Sequence, residues 1–355
     1  MKRTNILLGA VLFIAAACQD GYIDDIQPVQ PGADESAPAI TMTYPLEGTL
    51  IRVREDVTAI DVRFTVTDDI EIANIVVELN GEQIAQFNDF LDYRKAVTTF
   101  AYDEVATGEH TLSVTATDVA GKSTTQSVNF EKVAPYQPIY EGELFYMPFD
   151  GENTELVSIT NPTRVGDPGF NNAGKKGSAY AGATDGYLTF PTNGLTNPEF
   201  SASFWYKLNA VPDRAGILVI GPPGPTNNNR TGGFRLFREN AGGKQRITLN
   251  VGNGTADSWF NSDAAYHFDP SYSEWIHVAF TISDSECVLY INGEVAAKGE
   301  FTGISWADCD ILSIGSGAPR FSEWGHLSDL SLIDELRIFN KVLTPAEVQT
   351  IIGAD

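Results

Sequence analysis

The chain is 355 residues long, 43% apolar and 20% charged, which is enough for two folded domains. Its 47 acidic and 23 basic residues give a formal net charge of −24. A chain this acidic offers no general basic surface that could displace the counterions of a nucleic acid, so nucleic acid is excluded as an expected partner. Neutral sugars are easier ligands than polyanions, because the average field of the chain repels anions.

The first residues predict a cleaved signal peptide. Lys2 and Arg3 precede an apolar run over residues 6–17, which ends in small residues immediately before Cys18. This order of charged start, apolar run and small residues is typical of secretory signals, and the run is shorter than the about 20 residues that span a bilayer. We therefore predict a signal peptide over residues 1–17 and lipid attachment to Cys18.

Residues 18–36 are predicted to form a tether. The segment is rich in proline and acidic residues and cannot bury much apolar area, so it should stay extended. The acidic stretch QDGYIDD at residues 19–25 resembles the export signal of Bacteroidetes lipoproteins that reach the outer face of the outer membrane. This resemblance implies a surface-exposed outer-membrane lipoprotein; an ordinary solvated tether is the alternative.

Residues 37–133 predict a small β-sandwich. Apolar and polar residues alternate along several short runs, for example VRFTVT at residues 62–67, which is the period of a half-buried strand. Asn80 and Gly81 separate two such runs and tolerate the positive φ angles of a type I′ hairpin. No helical pattern interrupts the series, and about seven short strands in some hundred residues indicate a sandwich.

Two motifs of this domain resemble bacterial immunoglobulin-like domains. They are YPLEGT at residues 44–49 and GEHTLSVTATDVAGK at residues 108–122. The resemblance implies an Ig-like spacer that holds a functional module away from the membrane.

Residues 140–355 predict a larger all-β domain. Its expected strands are apolar or alternating runs at residues 200–208, 216–220, 234–238, 245–251, 275–282, 287–291 and 311–315. Asn292 and Gly293 predict another hairpin turn. Thr344, Pro345 and Glu347 predict a capped helix near the C-terminus, and a domain of this size is expected to stack two sheets.

Several segments of this domain resemble the LamG-like jelly rolls of the concanavalin A-like lectin and glucanase superfamily. In family order they are FSASFWYK at residues 200–207, WIHVAFT at 275–281, LYING at 289–293, SIGS at 313–316 and IDELRIFNKVLTP at 333–345. The resemblance implies an all-β chain in which an Ig-like β-sandwich precedes a concanavalin A-like jelly-roll sandwich with a short C-terminal helix.

The same resemblance implies one structural Ca²⁺ ion. The matching positions are Asp150 in FDG and Asp334 in IDE, and hard carboxylate oxygens suit calcium. The family's next acidic position is Asn153 or Glu155 here, which departs from the pattern. A hydrogen-bonding role at a strand end is the alternative for Asp334.

Catalytic motifs are missing from the sequence. The glucanases of the superfamily place acidic residues at alternating positions of one strand, whereas Asp329, Asp334 and Glu335 have a different spacing. The four histidines support no Ser, His and Asp triad. The chain is therefore predicted not to be an enzyme; a glycoside hydrolase with carboxylates from separate strands is the alternative.

Exposed aromatic rings that stack on sugars are the expected binding groups. Trp259, Tyr266 and Trp324 occur in polar, turn-rich contexts, and Arg230 belongs to the loop GPPGPTNNNRTGG at residues 221–233. We predict these four residues as ligand-binding. Ordinary loop packing of the tryptophans and a flexible connection at the loop are the alternatives.

Cys287 and Cys309 each precede an apolar alternating run. In an oxidising compartment the pattern allows a disulfide between them, and it equally allows two buried free thiols.

These expectations combine into one hypothesis of function. Lipoproteins of this kind in Bacteroidetes resemble surface proteins that capture a polysaccharide for a neighbouring transporter. We therefore expect a non-catalytic, carbohydrate-binding lipoprotein, anchored to the outer membrane by lipid on Cys18. A protein-binding adhesin is the alternative.

Overall fold

A computed structural model describes residues 32–355, so the predicted signal peptide, Cys18 and most of the predicted tether lie outside the described residues. The described chain divides into two compact units. One contains the described residues up to Ile51 and residues 57–132, and the other contains residues 52–56 and 133–355. Within this part of the chain, no helix combines the length and the apolar character that a membrane crossing requires.

The first unit is a β-sandwich. Its described strands are β1 Ala39–Tyr44, β2 Thr49–Ile51, β3 Val57–Thr67, β4 Ile72–Leu79, β5 Glu82–Phe87, β6 Lys95–Ala106, β7 Gly108–Asp118 and β8 Ser123–Lys132. They form one sheet in the order β1-β3-β6 and another in the order β2-β8-β7-β4-β5. Val62, Phe64 and Val66 of β3 and Val114 and Ala116 of β7 are fully or almost fully buried, so the alternation in the sequence marks the core and the predicted sandwich is confirmed.

The second unit stacks two larger sheets. Its described elements are β9 Glu143–Met147, β10 Thr163–Val165, β11 Gly169–Asn171, β12 Ala179–Ala181, β13 Tyr187–Pro191, β14 Phe200–Lys207, β15 Arg214–Ile220, β16 Phe234–Ala241, β17 Lys244–Gly252, β18 Asp257–Asn261, the 3₁₀ helix Ala264–Tyr266, β19 Trp275–Ile282, β20 Glu286–Ile291, β21 Glu294–Glu300, β22 Ile311–Ile314, β23 Leu332–Phe339 and the helix α1 Pro345–Ala354. The seven-stranded sheet has the order β10-β13-β22-β15-β16-β17-β18. The eight-stranded sheet has the order β11-β12-β23-β14-β19-β20-β21, with β9 paired to β23.

The core of this unit lies between its two sheets. Phe234 and Leu236 of β16 and Phe204 and Phe280 of the eight-stranded sheet are all buried in one cluster. Burial of each such side chain contributes about 1.5–3 kcal/mol. The predicted stack of two sheets is confirmed, and all seven predicted strands of this domain are present with bounds within three residues of those expected.

Two predicted hairpin turns are confirmed. Asn80 and Gly81 have φ angles of 54° and 82° and join β4 to β5. Asn292 and Gly293 have φ angles of 51° and 79° and join β20 to β21. Positive φ at both central positions is the requirement of a type I′ turn.

The C-terminal helix begins with the predicted capping box. The Thr344 Oγ1 atom accepts from the Glu347 amide at 3.3 Å, and Glu347 Oε2 accepts from the Thr344 amide at 2.8 Å. Val348 and Ile351 are buried in a cluster with Ala279 of β19. The cap and this apolar contact together fix the helix on the eight-stranded sheet.

Residues 257–261 form the edge strand β18, whereas the sequence suggested a turn-rich loop around Trp259. Asn250 of β17 pairs with Trp259, and Leu249 pairs with Phe260. Phe260 is buried while Trp259 is exposed. A single inward-facing apolar residue among polar neighbours gives too short an alternation for a strand to be recognised from sequence.

Cys287 and Cys309 are both free and buried, so the possible disulfide is not present. Cys287 belongs to β20 of the eight-stranded sheet, and Cys309 lies two residues before β22 of the seven-stranded sheet. Stacked sheets are about 10 Å apart, whereas bridged cysteines have Cα atoms about 4.4–6.8 Å apart. Both thiols pack as small apolar groups in the core.

His277 of β19 is expected to make the stability of the second unit depend on pH. It is fully buried, and its Nε2 atom lies 2.8 Å from Ser203 Oγ. Burial, and secondarily the charge of Lys175, lower the pKa of His277 to about 3, far below the about 6.5 of an unfolded chain. The folded state therefore excludes a proton that the unfolded state binds, and stability is lost as the pH falls from about 6.5 towards 3.

We expect the titration of His277 to lower the free energy of unfolding by up to about 1.4 kcal/mol for each pH unit below about 6.5 in that window. The His277→Gln variant keeps a polar partner for Ser203 and cannot titrate, so its free energy of unfolding should fall less between pH 6.5 and 4.5. Urea unfolding followed by tryptophan fluorescence measures this, because all five tryptophans belong to the second unit. Equal pH slopes for the two proteins would show that His277 is not the titrating group.

Candidate functional site

The outer face of the seven-stranded sheet points away from the core. One row across it, here called the outer row, contains Ser313 of β22, Val219 of β15, Arg235 of β16, Asn250 of β17 and Trp259 of β18, each paired with the next. Alternate residues of these strands belong to the core, so the outer row lies on the opposite side. Its first four members are completely buried, while Trp259 is 39% exposed. The middle of this face is therefore covered, whereas its edge at β18 is partly exposed.

Two segments cover the outer face. One is the cover loop, residues 221–233, and the other is the aromatic segment, residues 316–328. They are joined to each other, because the Ser322 amide donates to Asn227 O at 2.9 Å and Asn228 Nδ2 donates to Glu323 Oε2 at 2.7 Å. Asn227 and Asn228 thus help to connect the two segments.

Trp259 and Trp324 form an exposed aromatic pair, here called the tryptophan pair. Their ring centroids are 5.8 Å apart, and their planes differ by 20°. Trp324 is 40% exposed, almost the same fraction as Trp259. The ring centroid of Phe237 is 5.9 Å from that of Trp259, and the ring centroid of Phe321 is 5.9 Å from that of Trp324. Because both phenylalanines are completely buried, they give the pair a rigid base.

Arg230 of the cover loop lies over the tryptophan pair. Its Cζ atom is 4.6 Å from the ring centroid of Trp324 and 5.8 Å from that of Trp259. Its Nε atom donates to Asp257 Oδ2 at 3.0 Å, and the same oxygen accepts from Asn250 Nδ2 at 2.8 Å. The guanidinium is thus held in place by a carboxylate and two aromatic faces.

Three of the four predicted ligand-binding residues therefore meet at one place: Trp259, Trp324 and Arg230. Tyr266 does not join them. It ends the 3₁₀ helix and packs against the core, and within residues 32–355 no ring contact links it to either tryptophan. A stacking role for Tyr266 beside the tryptophan pair is therefore not supported by its position.

Sequence analysis missed Phe237, Phe321, Asp257 and Arg235 as parts of this site. One signal was available for Phe237: it occupies an outward position of β16, where a solvent-facing strand would carry a polar residue. The remaining contacts depend on how the cover loop and the aromatic segment fold over the sheet, which the sequence pattern does not contain.

The two predicted calcium ligands approach one loop. Asp150 Oδ1 accepts from the Ser178 amide, and Asp334 Oδ2 accepts from the Lys176 amide, each at 3.0 Å. Burial, the largest cause, raises the pKa of Asp334 to about 7. Among the described residues, no group of three or more His, Cys, Asp or Glu side chains is arranged to hold a metal ion. Calcium also binds backbone carbonyls, so calcium binding at this loop stays a prediction.

Part of each unit matches a protein-family model. Residues 182–349 match the family model of the concanavalin A-like lectin/glucanases superfamily, and residues 38–114 match that of the bacterial Ig domain. A search of curated proteins returned no match.

Several solved structures are similar to the chain. Domain 4 of AbnA, a GH43 extracellular arabinanase from Geobacillus stearothermophilus in complex with arabinotriose, is 18% identical, with 59% of this chain and 99% of that chain covered and a TM-score of 0.46. The binding domain of a botulinum neurotoxin of serotype D/C is 13% identical, with coverages of 60% and 52% and a TM-score of 0.43. A Trypanosoma rangeli sialidase in complex with 2,3-difluoro-KDN is 13% identical, with coverages of 71% and 46% and a TM-score of 0.40. The chain thus spans about half of the latter two.

Proposed function

We propose that this chain, a bacterial Ig domain followed by a concanavalin A-like sandwich, captures a glycan on Trp259 and Trp324 without cleaving it. The observation that supports the proposal is the tryptophan pair: two near-parallel indoles, each about two-fifths exposed, on a base of buried rings. Large indoles are normally buried much further than this. Their exposure leaves apolar area free for a ligand.

Sugar rings have apolar C–H faces that pack on aromatic rings, while their hydroxyl groups need hydrogen-bond partners at the edge. The tryptophan pair supplies the aromatic surface. Arg230 and Asp257 supply a donor and an acceptor beside it. Because Phe237 and Phe321 already fix the indoles, binding loses little side-chain entropy.

The proposal assigns no catalytic role to this site. Asp257, which holds Arg230 beside the pair, already accepts from Arg230 and Asn250, so it is poorly placed to move a proton. The Ser203–His277 contact superficially resembles a nucleophile and its base, but both residues are completely buried on the other sheet. A general base must reach the substrate.

We also propose the setting in which capture occurs. The chain would be anchored by lipid on Cys18 at the outer face of the outer membrane, and the Ig domain would act as a spacer. The captured polysaccharide would then pass to a neighbouring transporter. The signal-like residues 1–17 and the acidic tether support this proposal.

Affinity electrophoresis against a panel of polysaccharides tests the proposed function. We expect the chain from residue 37 to 355 to be retarded by one class of glycan and to leave that glycan uncut. Repeating the run with calcium and then with a chelator tests whether retention depends on calcium. If Asp150 and Asp334 hold a calcium ion, thermal unfolding should show a higher melting temperature in calcium than in chelator. Retardation by no glycan would contradict glycan capture and favour a protein partner, and released sugar would favour a hydrolase.

A further inference from the structure

Arg235 is a buried charge that makes no direct ion pair with a carboxylate of the described residues. Its side chain is completely inaccessible to solvent, although it lies on the outer face of the seven-stranded sheet. One of its guanidinium nitrogens, Nη2, donates to Asn229 O of the cover loop. Its Nε and Nη1 atoms have no hydrogen-bond partner among the described residues, and no carboxylate in that range forms an ion pair with it.

A second arginine of the same strand shows the usual arrangement. Arg238 is also completely buried, but its Nη2 atom lies 3.0 Å from Asp329 Oδ1. Burying an unpaired charge costs several kcal/mol more than burying a paired one. Burial lowers the pKa of Arg235 to about 10, which still leaves it protonated at neutral pH. The charge of Asp257 raises the pKa of Arg235 and so opposes part of the effect of burial. The fold therefore retains a costly cation that no carboxylate of residues 32–355 contacts directly.

The surroundings of Arg235 contain further unused polar atoms. On the outer row, Asn250 is next to Arg235, and Ser313 is two strands away. Both residues are completely buried. Asn250 Oδ1 and Ser313 Oγ have no hydrogen-bond partner within residues 32–355. Arg320 Nε of the aromatic segment also lacks a partner there. A Cβ atom at Gly221 would lie 2.7 Å from Arg235 Nη2 and 3.6 Å from Arg320 Cβ. The start of the cover loop therefore passes directly over both arginines, where a side chain would not fit.

We propose that Arg235 is the centre of an inner subsite that binds the carboxylate of an acidic sugar, a uronic acid, beneath the cover loop. The choice of a sugar acid rests on the proposed function, because the outer row joins Arg235 through Asn250 to Trp259. The guanidinium provides a planar fork of donors that matches the two oxygens of a carboxylate. Asn250 Oδ1 and Ser313 Oγ are then available for sugar hydroxyls.

Admission of this group requires the tip of the cover loop to lift and to close again, so that Arg230 returns to the tryptophan pair. This tip, residues 225–231, holds no buried side chain, and polar contacts attach it, such as Asn228 to Glu323 and Arg230 to Asp257. Water can replace such contacts at small net cost, and segments with few buried apolar contacts open most easily. The negative net charge of the chain opposes polyanions in general, but a single carboxylate gains a buried, preformed cation.

The test uses sodium D-glucuronate as the probe, with D-glucose and sodium sulfate as comparisons at constant ionic strength. Tryptophan fluorescence reports the melting temperature of the second unit. We expect glucuronate to raise it by about 3 °C at tenfold excess over the Kd and further with the logarithm of its concentration, and glucose to have no effect. Arg235→Met should abolish the shift, and Arg235→Lys should weaken it. Arg246→Gln is the matched control, because Arg246 lies on the same face but is paired with Glu239, and it should keep the shift.

Melting temperatures without any probe separate the subsite from a structural role of Arg235. If Arg235 is held for a ligand, Arg235→Met should melt at or above the wild-type temperature, because it removes an unpaired buried charge. If Arg235 stabilises the fold, the variant should melt at a lower temperature. Each of four results would overturn the subsite. Two concern Arg235→Met: a lower melting temperature without probe, or a glucuronate shift that survives in this variant. The other two concern the wild type: no shift with glucuronate, or a shift with sulfate but not with glucuronate. Retention on a glycan that Arg235→Met leaves unchanged would overturn this inference alone, whereas retention on no glycan would overturn the proposed function.

Discussion

We expect alanine at both Trp259 and Trp324 to abolish retention of the chain on the glycan that the wild type binds. Aromatic anchors at binding sites typically contribute about 2 kcal/mol or more each, which is about thirtyfold in Kd. The two indoles contact each other, so their effects are coupled and the double variant is the decisive one. Phenylalanine at both positions keeps an aromatic face and should restore part of the affinity.

Isothermal titration with the retained glycan measures the loss. Trp306→Phe is the control, because Trp306 packs against the core and its Nε1 atom donates to Asn197 O at 2.8 Å. This control changes the same residue type away from the tryptophan pair and should bind normally. Wild-type affinity in a folded double-alanine variant would remove the pair as the binding surface.

We expect Arg238→Met to destabilise the second unit by about 3–5 kcal/mol, because removing one partner of a buried ion pair leaves the other charge unpaired. Asp329 would lose two hydrogen bonds, which Arg238 Nε and Nη2 donate at 3.2 and 3.0 Å. It would keep the hydrogen bonds that Tyr206 and Ser331 donate. Gln245 Oε1 would lose its 2.7 Å donor as well. The corresponding fall in melting temperature is about 10 °C for a unit of this size.

Thermal unfolding of Arg238→Met beside Arg235→Met measures this difference within one strand. The same substitution at two buried arginines should lower stability at the paired one and not at the unpaired one. Similar destabilisation by both variants would mean that Arg235 is neutralised in the fold after all.

The sequence predicted the fold well because the decisive signals were local. Alternation marked β3 and β7 of the first unit, and mostly apolar runs marked β14 and β19, which are covered on both faces. Asn-Gly dipeptides and the capping residues of α1 specify their geometry within a few positions. Such signals require no knowledge of distant neighbours.

The candidate site was predicted in part. Trp259, Trp324 and Arg230 were recognised as residue types that sugar binding requires, but their meeting depends on contacts between positions 230, 259 and 324 that no local pattern encodes. Tyr266 shared the residue type and the polar context yet packs against the core. Arg235 was overlooked because an arginine in an alternating strand normally reaches solvent, and the cover loop that buries it is defined only by the folded chain.

Oxidation of the exposed indoles with N-bromosuccinimide, followed by peptide mass spectrometry, tests the central claim most directly. Trp259 and Trp324 should be the first tryptophans oxidised in the free chain, and a saturating concentration of the retained glycan should protect both of them together. Oxidation of both at an unchanged rate under saturation would show that the glycan binds elsewhere and would contradict capture on the tryptophan pair.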